Sequence, residues 1–96
     1  MHVAGTVAGA PVPDGAAAQC ASALKIIETA LGEAGVGFAD VVRVTYMLPD
    51  RGEFEACWPL LKATFGDNPP AATMIECGLI DPMYRIEIEV TALAAQ

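Results

Sequence analysis

Hydrophobic and polar positions follow two different periods along this chain, and the first half predicts a strand followed by a helix. Val3–Ala8 is a short, largely β-branched run that favours a strand, with Gly5 as a point where it can bulge. Asp14 can cap a helix that runs to about Ala34, and Gly35 is a natural residue to end it. Spacings of four and three place five apolar residues on one buried face of this helix: Cys20, Leu24, Ile27, Leu31 and Ala34.

A second strand and a second helix follow. Asp40–Leu48 alternates strictly, which places four apolar side chains on one face of the strand: Val42, Val44, Tyr46 and Leu48. Apolar residues at helical spacing then recur from Glu53 to Phe65. Pro59 would cost about 3 kcal/mol inside a helix, so the regular helix is expected to begin near Trp58, after an irregular turn.

Two further strands complete the pattern, at about Ala72–Leu79 and Tyr84–Leu93, separated by the loop residues Ile80–Pro82. The last strand alternates charged with β-branched residues, so three charged side chains share the face opposite its apolar ones: Arg85, Glu87 and Glu89. The order β-α-β-α-β-β predicts an α+β fold, with both helices on one face of a single sheet.

The other face of the sheet carries valine, methionine and threonine, with Trp58 expected nearby, and is too apolar to be left in water. In a chain of 96 residues without a linker or repeat, read as the single domain 1–96, the covering layer must come from another subunit. The sequence therefore predicts a homo-oligomer.

Composition and charge exclude several classes of function. A net charge of −7 opposes binding to a phosphate backbone, which makes nucleic acid a poor partner. No run of about 18 apolar residues could span a bilayer, and no Lys or Arg precedes the apolar N-terminus as in a secretory signal. An odd number of cysteines fits a reducing compartment, so the expected location is the cytoplasm.

The inventory of reactive side chains is small. The only histidine is His2 and the only serine is Ser22, so no Ser–His–Asp triad can be assembled. Cys20, Cys57 and Cys77 lack the close pairing of zinc ligands and read as buried hydrophobic residues, with Cys77 the first alternative as a reactive thiol. Neither a metal nor a cofactor is expected.

Several segments together resemble the RidA/YjgF family, also known as endoribonuclease L-PSP. They are His2-Val-Ala-Gly-Thr6, Gln19, Gly35 with Asp40–Tyr46, Phe54 with Phe65-Gly66, Pro70–Glu76 and Ile86–Val90. The resemblance covers essentially the whole chain and is specific in its combination. It implies a chorismate-mutase-like subunit, a homotrimer with a cleft at each subunit interface, and hydrolysis of enamine or imine intermediates to 2-oxo acids and ammonia. The family has a further N-terminal strand ahead of the matched segment, so the sheet edge near Val3 is expected to lack a partner.

The resemblance also assigns site residues, with two departures. The glutamate that points into the family cleft corresponds to Glu87, which we expect to orient the attacking water. The family arginine that clamps the substrate carboxylate is Ala72 here, and an asparagine of the second helix is replaced by Trp58. Losing a two-pronged, charge-assisted contact could weaken carboxylate binding by roughly two orders of magnitude, which favours a neutral, cationic or bulkier apolar substrate.

Three more residues are candidates for contacting the ligand. Thr73 and the backbone around Met74 lie on the strand that lines the family cleft and offer hydrogen bonds to a small molecule. Arg85 could supply a displaced anion clamp, against the alternative of a structural ion pair with Glu87 or Glu89. Trp58 could stack on a ligand, against the alternative of packing at an interface.

Three functional hypotheses remain open. The first is a trimer that binds a small metabolite in its clefts and hydrolyses a C=N bond, with Glu87 at the water. The second is a non-catalytic trimer of the same fold that binds a small molecule or stabilises a protein. The third, a ribonuclease or translation inhibitor, fits a charge of −7 poorly.

Overall fold

A mixed four-stranded sheet carries two helices on one face, as a computed structural model of the chain describes it for residues 1–66 and 69–93. The elements are β1 (His2–Thr6), α1 (Ala16–Glu33), β2 (Val41–Leu48), α2 (Trp58–Phe65), β3 (Ala71–Glu76) and β4 (Glu87–Ala92). Short 3-10 helices cover Phe38–Asp40 and Arg51–Cys57. The predicted fold class and element order are confirmed.

The strands lie in the order β1-β4-β2-β3, so β1 and β3 form the two edges. β4 pairs antiparallel with β1 and β2, and β3 runs parallel to β2. Both helices pack their apolar faces on the side chains of the two central strands. The core consists of Cys20, Ala23, Leu24, Ile27 and Leu31 of α1, Leu61 of α2, and Val44, Tyr46, Leu48, Ile88 and Val90 of the sheet, among others.

The predicted cap of α1 is wrong. The helix begins at Ala16 after Gly15, whose φ of 89° suits only glycine, and no side chain caps the first turn. Asp14 is therefore not the capping residue. The other end agrees with the sequence, because Gly35 takes a φ of 78° just past the helix and donates its N–H to the Gly32 carbonyl at 3.0 Å.

The alternation predicted for β2 is wrong at the start of the strand. Val41 and Arg43 pair with Ala92 and Thr91, so two residues of β2 advance against one of β4. This bulge turns Val41 into the core and leaves Val42 exposed, which corrects the predicted face for Val42. A second irregularity, between Val3 and Thr6 of β1, falls at the predicted bulge point.

The second helix begins where Pro59 permits it. Residues 51–57 form 3-10 turns, opened by Asp50 Oδ1 accepting the Gly52 N–H at 2.9 Å. Pro59 then occupies the first turn of α2, where its missing N–H costs no hydrogen bond. The expected start near Trp58 after an irregular turn is confirmed.

Candidate functional site

An open cavity of about 350 Å³ lies on the helix-bearing side of the sheet, between α2 and the outer strand β3. It forms there because β3 is an edge strand whose six residues all remain exposed, and α2 covers the neighbouring strand only partly. Its described lining residues are Val44, Tyr46, Trp58, Leu61, Lys62, Phe65, Gly66, Pro69, Pro70 and Ala72.

The walls of the cavity are apolar, with a single charge. Trp58 and Phe65 supply aromatic surface, and Trp58 remains 57 % exposed. Phe65 is held by an edge-to-face contact with Phe38, with ring centroids 5.6 Å apart. Lys62 is the only charged side chain among the lining residues that the structure describes.

Two of the predicted site residues meet in this cavity. Ala72 pairs with Val44 in the parallel ladder and so shares the helix-bearing side of the sheet, where α2 presents Trp58. Trp58 therefore does not lie beside the helix-free face, as its sequence position suggested. Met74 also lies on the helix-bearing side, opposite Tyr46, but is not part of the lining.

Glu87 and Thr73 lie on the other face of the sheet. Glu87 is paired with Met47, and Thr73 with Thr45, at positions that alternate with the buried ones. In one chain, Glu87 therefore lies across the sheet from the cavity that contains Ala72. The cleft expected from the sequence lies between subunits, and a single subunit does not bring these residues together.

The carboxylate of Glu87 rests on the backbone of β1. A Cβ atom built at Gly5 would overlap it, so the absence of a side chain at Gly5 is what makes room for the carboxylate. Glu87 is half-buried, and within the described part of the chain its carboxylate has neither a cation nor a hydrogen-bond donor as partner. It thus packs against β1 with its acceptor atoms unused.

Arg85 is committed to another residue. Its guanidinium binds the Glu53 carboxylate through Nε, at 3.0 Å to Oε2, and through Nη2. Hydrogen bonding to Glu53 raises the pKa of Arg85 above its usual value. The pairing predicted with Glu87 or Glu89 is wrong, because Arg85 precedes β4 and faces the 3-10 segment that contains Glu53.

The approach to β4 is fixed by a buried glutamine. Gln19 is 1 % exposed, and its amide donates to the carbonyls of Pro13 and Met83 at 3.0 and 2.8 Å. Its Oε1 accepts the Arg85 N–H at 2.6 Å. All three bonds satisfy a polar group that would otherwise be costly to bury, and the two with Met83 and Arg85 attach α1 to the segment that leads to Glu87.

Two of the three cysteines match their predicted burial. Cys20 and Cys57 are fully buried in the core, while Cys77 is half-buried. A side-chain hydrogen bond with Cys57 and burial raise the pKa of the Cys20 thiol, which keeps that thiol protonated and unreactive.

Neither this cavity between α2 and β3 nor the place of Lys62 in it was predicted from the sequence. The signal was present, since Trp58 and Lys62 stand four residues apart and so share one side of α2. The walls supplied by β2 and the Pro69–Pro70 segment come from distant parts of the chain, and the sequence alone does not bring them beside that helix. Within residues 1–66 and 69–93, no helix is long and apolar enough to cross a membrane, and no group of three potential metal ligands occurs.

Comparison with known structures places the fold in one structural class. It is similar to a member of the YjgF/YER057c/UK114 family from Mycobacterium tuberculosis, with a TM-score of 0.89 and 37 % identity over 97 % of this chain and 77 % of the other. A YjgF family protein from Neisseria meningitidis gives a TM-score of 0.87 at 28 % identity, over 99 % of this chain and 79 % of the other.

The sequence comparisons agree with the structural ones. The profile of the endoribonuclease L-PSP family matches residues 1–94, and the chain belongs to this family. Curated relatives are the proteins named 2-iminobutanoate/2-iminopropanoate deaminase from Rattus norvegicus and Homo sapiens, 34 % and 33 % identical over 88 % of this chain. The chain spans 62 % of the length of each.

Proposed function

We propose that this protein hydrolyses an imine or enamine to a carbonyl compound and ammonia, in a cleft shared between two copies of the chain. The observation that carries the proposal is the half-buried carboxylate of Glu87, which lies over Gly5 with its acceptor atoms unused. The kinship with curated imine deaminases supports the reaction class.

Glu87 acts on the water in this reaction. Its carboxylate accepts a proton from a water molecule as the water oxygen bonds to the imine carbon, and the proton returns to the nitrogen. The resulting carbinolamine loses ammonia and leaves a carbonyl group. The carboxylate packs against β1 at Gly5, and this position favours attack from one direction.

A second copy of the chain completes the site. The apolar cavity and Glu87 lie on opposite faces of one sheet, so a small substrate held in the cavity cannot touch Glu87 of the same copy. We assign the water-activating carboxylate of each cleft to the neighbouring copy. Thr73, on the same face as Glu87, then lies at the seam and offers its hydroxyl to the ligand.

The assembly we propose is a homotrimer in which neighbouring copies cover the helix-free face. That face carries Thr45, Met47 and Ile75 beside the exposed edge strand β3, and Ile75 is 45 % exposed in the single chain. Such apolar surface next to an unpaired edge favours association over exposure. Light scattering should give about three times the chain mass of 9.9 kDa.

The reaction is tested by generating 2-imino acids in situ from alanine and from leucine with an amino-acid oxidase and following ammonia release. We expect wild type to accelerate release from at least one of the two imines and Glu87→Gln to abolish the acceleration. Glu89→Gln is the matched control, since Glu89 lies two residues along the same face and is expected to be dispensable. Equal loss in both variants, or no acceleration of either imine by wild type, would contradict the assignment.

A second candidate function rests on Ala72. Where relatives in the resemblance have an arginine, this cavity has a methyl group, so the protein could bind a metabolite without turning it over. Binding without acceleration would favour this alternative. Cleavage of RNA by nuclease-free protein would favour a third, which a net charge of −7 opposes.

A further inference from the structure

We infer that the ligand of the cavity between α2 and β3 is a carboxylate attached to a large apolar group, bound through Lys62. The inference rests on the proposed function, since it names the substrate class of the same site. The substrate would be a 2-imino acid with a branched aliphatic or aromatic side chain, rather than a compact one such as 2-iminopropanoate.

The charge of the ligand follows from Lys62. It is the one charged side chain among the described lining residues, and the other walls are apolar. Lys62 is exposed, so water screens its charge, and its ammonium attracts an anion and repels another cation only modestly. The ammonium of Lys62 is a single-point contact, weaker and less directional than the two-pronged arginine that Ala72 replaces.

The size and shape of the ligand follow from the walls. A volume of about 350 Å³ exceeds what a three-carbon acid fills, and lies within the range of sites that take larger ligands. A compact acid would leave the aromatic rings of Trp58 and Phe65 in contact with water. Each CH₂ group buried there should raise affinity about fourfold, so an isobutyl group in place of methyl should bind on the order of 50-fold more tightly.

With Ala72 in place of the arginine, the cavity recognises its ligand in a different way. The lost guanidinium removes tight binding of small acids, and the space it leaves admits the side chain of a larger acid. Binding energy moves from hydrogen bonds at the carboxylate to apolar contact with Trp58, Phe65 and Pro69.

The test uses Trp58 as its own reporter, because the chain has no other tryptophan. Fluorescence titrations compare three stable probes: 4-methyl-2-oxopentanoate, pyruvate, and the uncharged 4-methylpentan-2-one. We expect the first to perturb Trp58 at a concentration at least tenfold lower than pyruvate and about two- to fivefold lower than the ketone. Equal midpoints for all three, or no change of emission with any, would overturn the inference.

The role of Lys62 is tested with a matched pair of variants. The chain has two lysines, and Lys25 lies exposed on α1, outside the cavity lining. Lys62→Met should weaken binding of 4-methyl-2-oxopentanoate about two- to fivefold while leaving the ketone unchanged, and Lys62→Arg should retain binding. Lys25→Met should bind like wild type. A Lys62→Met protein that binds the acid normally would overturn the charge assignment.

Turnover separates this inference from the proposed reaction. Imines generated from leucine and from alanine are offered in parallel, and we expect faster release of ammonia from the leucine-derived imine. Tight binding of the large acid with no turnover of either imine would contradict the proposed reaction and leave the inferred ligand class unaffected. Turnover of both imines at equal efficiency would contradict the inferred substrate class and leave the proposed reaction unaffected.

Discussion

Gln19 on the first helix accepts a hydrogen bond of 2.6 Å from the backbone N–H of Arg85, two residues before Glu87. The bond joins residues 66 positions apart in the sequence. Together with the bond that the Gln19 amide donates to the Met83 carbonyl, it fixes how the chain enters β4. The position of the proposed catalytic carboxylate therefore depends on a buried polar residue of another element.

Replacing Gln19 should cost both stability and activity. Gln19→Leu keeps the volume of the side chain but leaves two carbonyls and one N–H in the interior without partners, so the free energy of unfolding should fall by about 2 kcal/mol or more. Urea denaturation measures this loss. Lys25→Leu, on the exposed side of the same helix, should change stability by only about 0.5 kcal/mol. Equal effects of the two variants would contradict the structural role given to Gln19.

Adding one methyl group to β1 should displace Glu87. In Gly5→Ala the new Cβ occupies the position of the Glu87 carboxylate, whose flexible side chain can move aside at small cost in stability. We expect imine hydrolysis to fall on the order of 10- to 100-fold, because a misplaced carboxylate no longer meets the water correctly. Gly78→Ala is the control, since a Cβ there meets no atom within 4 Å. Full activity of Gly5→Ala would show that the position of Glu87 does not matter.

Restoring a guanidinium at position 72 should reverse the ligand preference. Ala72→Arg places a two-pronged donor in the cavity and takes up its volume, so pyruvate should bind roughly 10- to 100-fold more tightly and 4-methyl-2-oxopentanoate more weakly. Ala72→Met adds similar bulk without charge and should not improve pyruvate binding. Calorimetry on both variants measures the change. A gain for pyruvate in Ala72→Met as well would attribute the effect to shape.

Stability should fall at alkaline pH through a buried tyrosine. Burial raises the pKa of the Tyr46 phenol above its usual range. The phenol holds its proton more tightly in the folded state, so its contribution to stability is complete below the ordinary value of 10.0 and is lost as pH rises beyond it.

Urea denaturation between pH 8 and 11 measures this dependence, and Tyr46 should contribute a slope of up to about 1.4 kcal/mol per pH unit. Tyr46→Phe removes a titrating group, so its free energy of unfolding should fall less steeply with pH than that of wild type. Tyr84→Phe changes the only other tyrosine and should leave the slope as in wild type. The same steep slope in Tyr46→Phe would exclude Tyr46 as a source of alkaline unfolding.

The parts of the fold that the sequence predicted are those with a clean period. The α1 stripe from Cys20 to Leu31 and the alternation of Val44, Tyr46 and Leu48 are local patterns, and both are buried as expected. The bulge at Val42 breaks such a pattern without any glycine or proline to mark it, so periodicity placed that residue on the wrong face.

The candidate site was less accessible to sequence reasoning. Whether Glu87 and Ala72 share a face depends on the register of three strands, and the partner of Arg85 depends on where the 3-10 segment places Glu53. A resemblance assigns residues one at a time and does not say which copy of the chain supplies each. That assignment requires the strand order and register of the sheet.

Mixing two inactive variants tests the shared cleft most directly. Glu87→Gln lacks the proposed water-activating group, and Ala72→Glu places a carboxylate in the cavity that repels an acidic substrate. When equal amounts are unfolded together and reassembled, random trimers should recover about a quarter of the wild-type imine hydrolysis, because clefts with both positions intact form between unlike copies. Mixed trimers with no more activity than the separate variants would show that Glu87 of one copy does not act on the cavity of another, and would contradict the account.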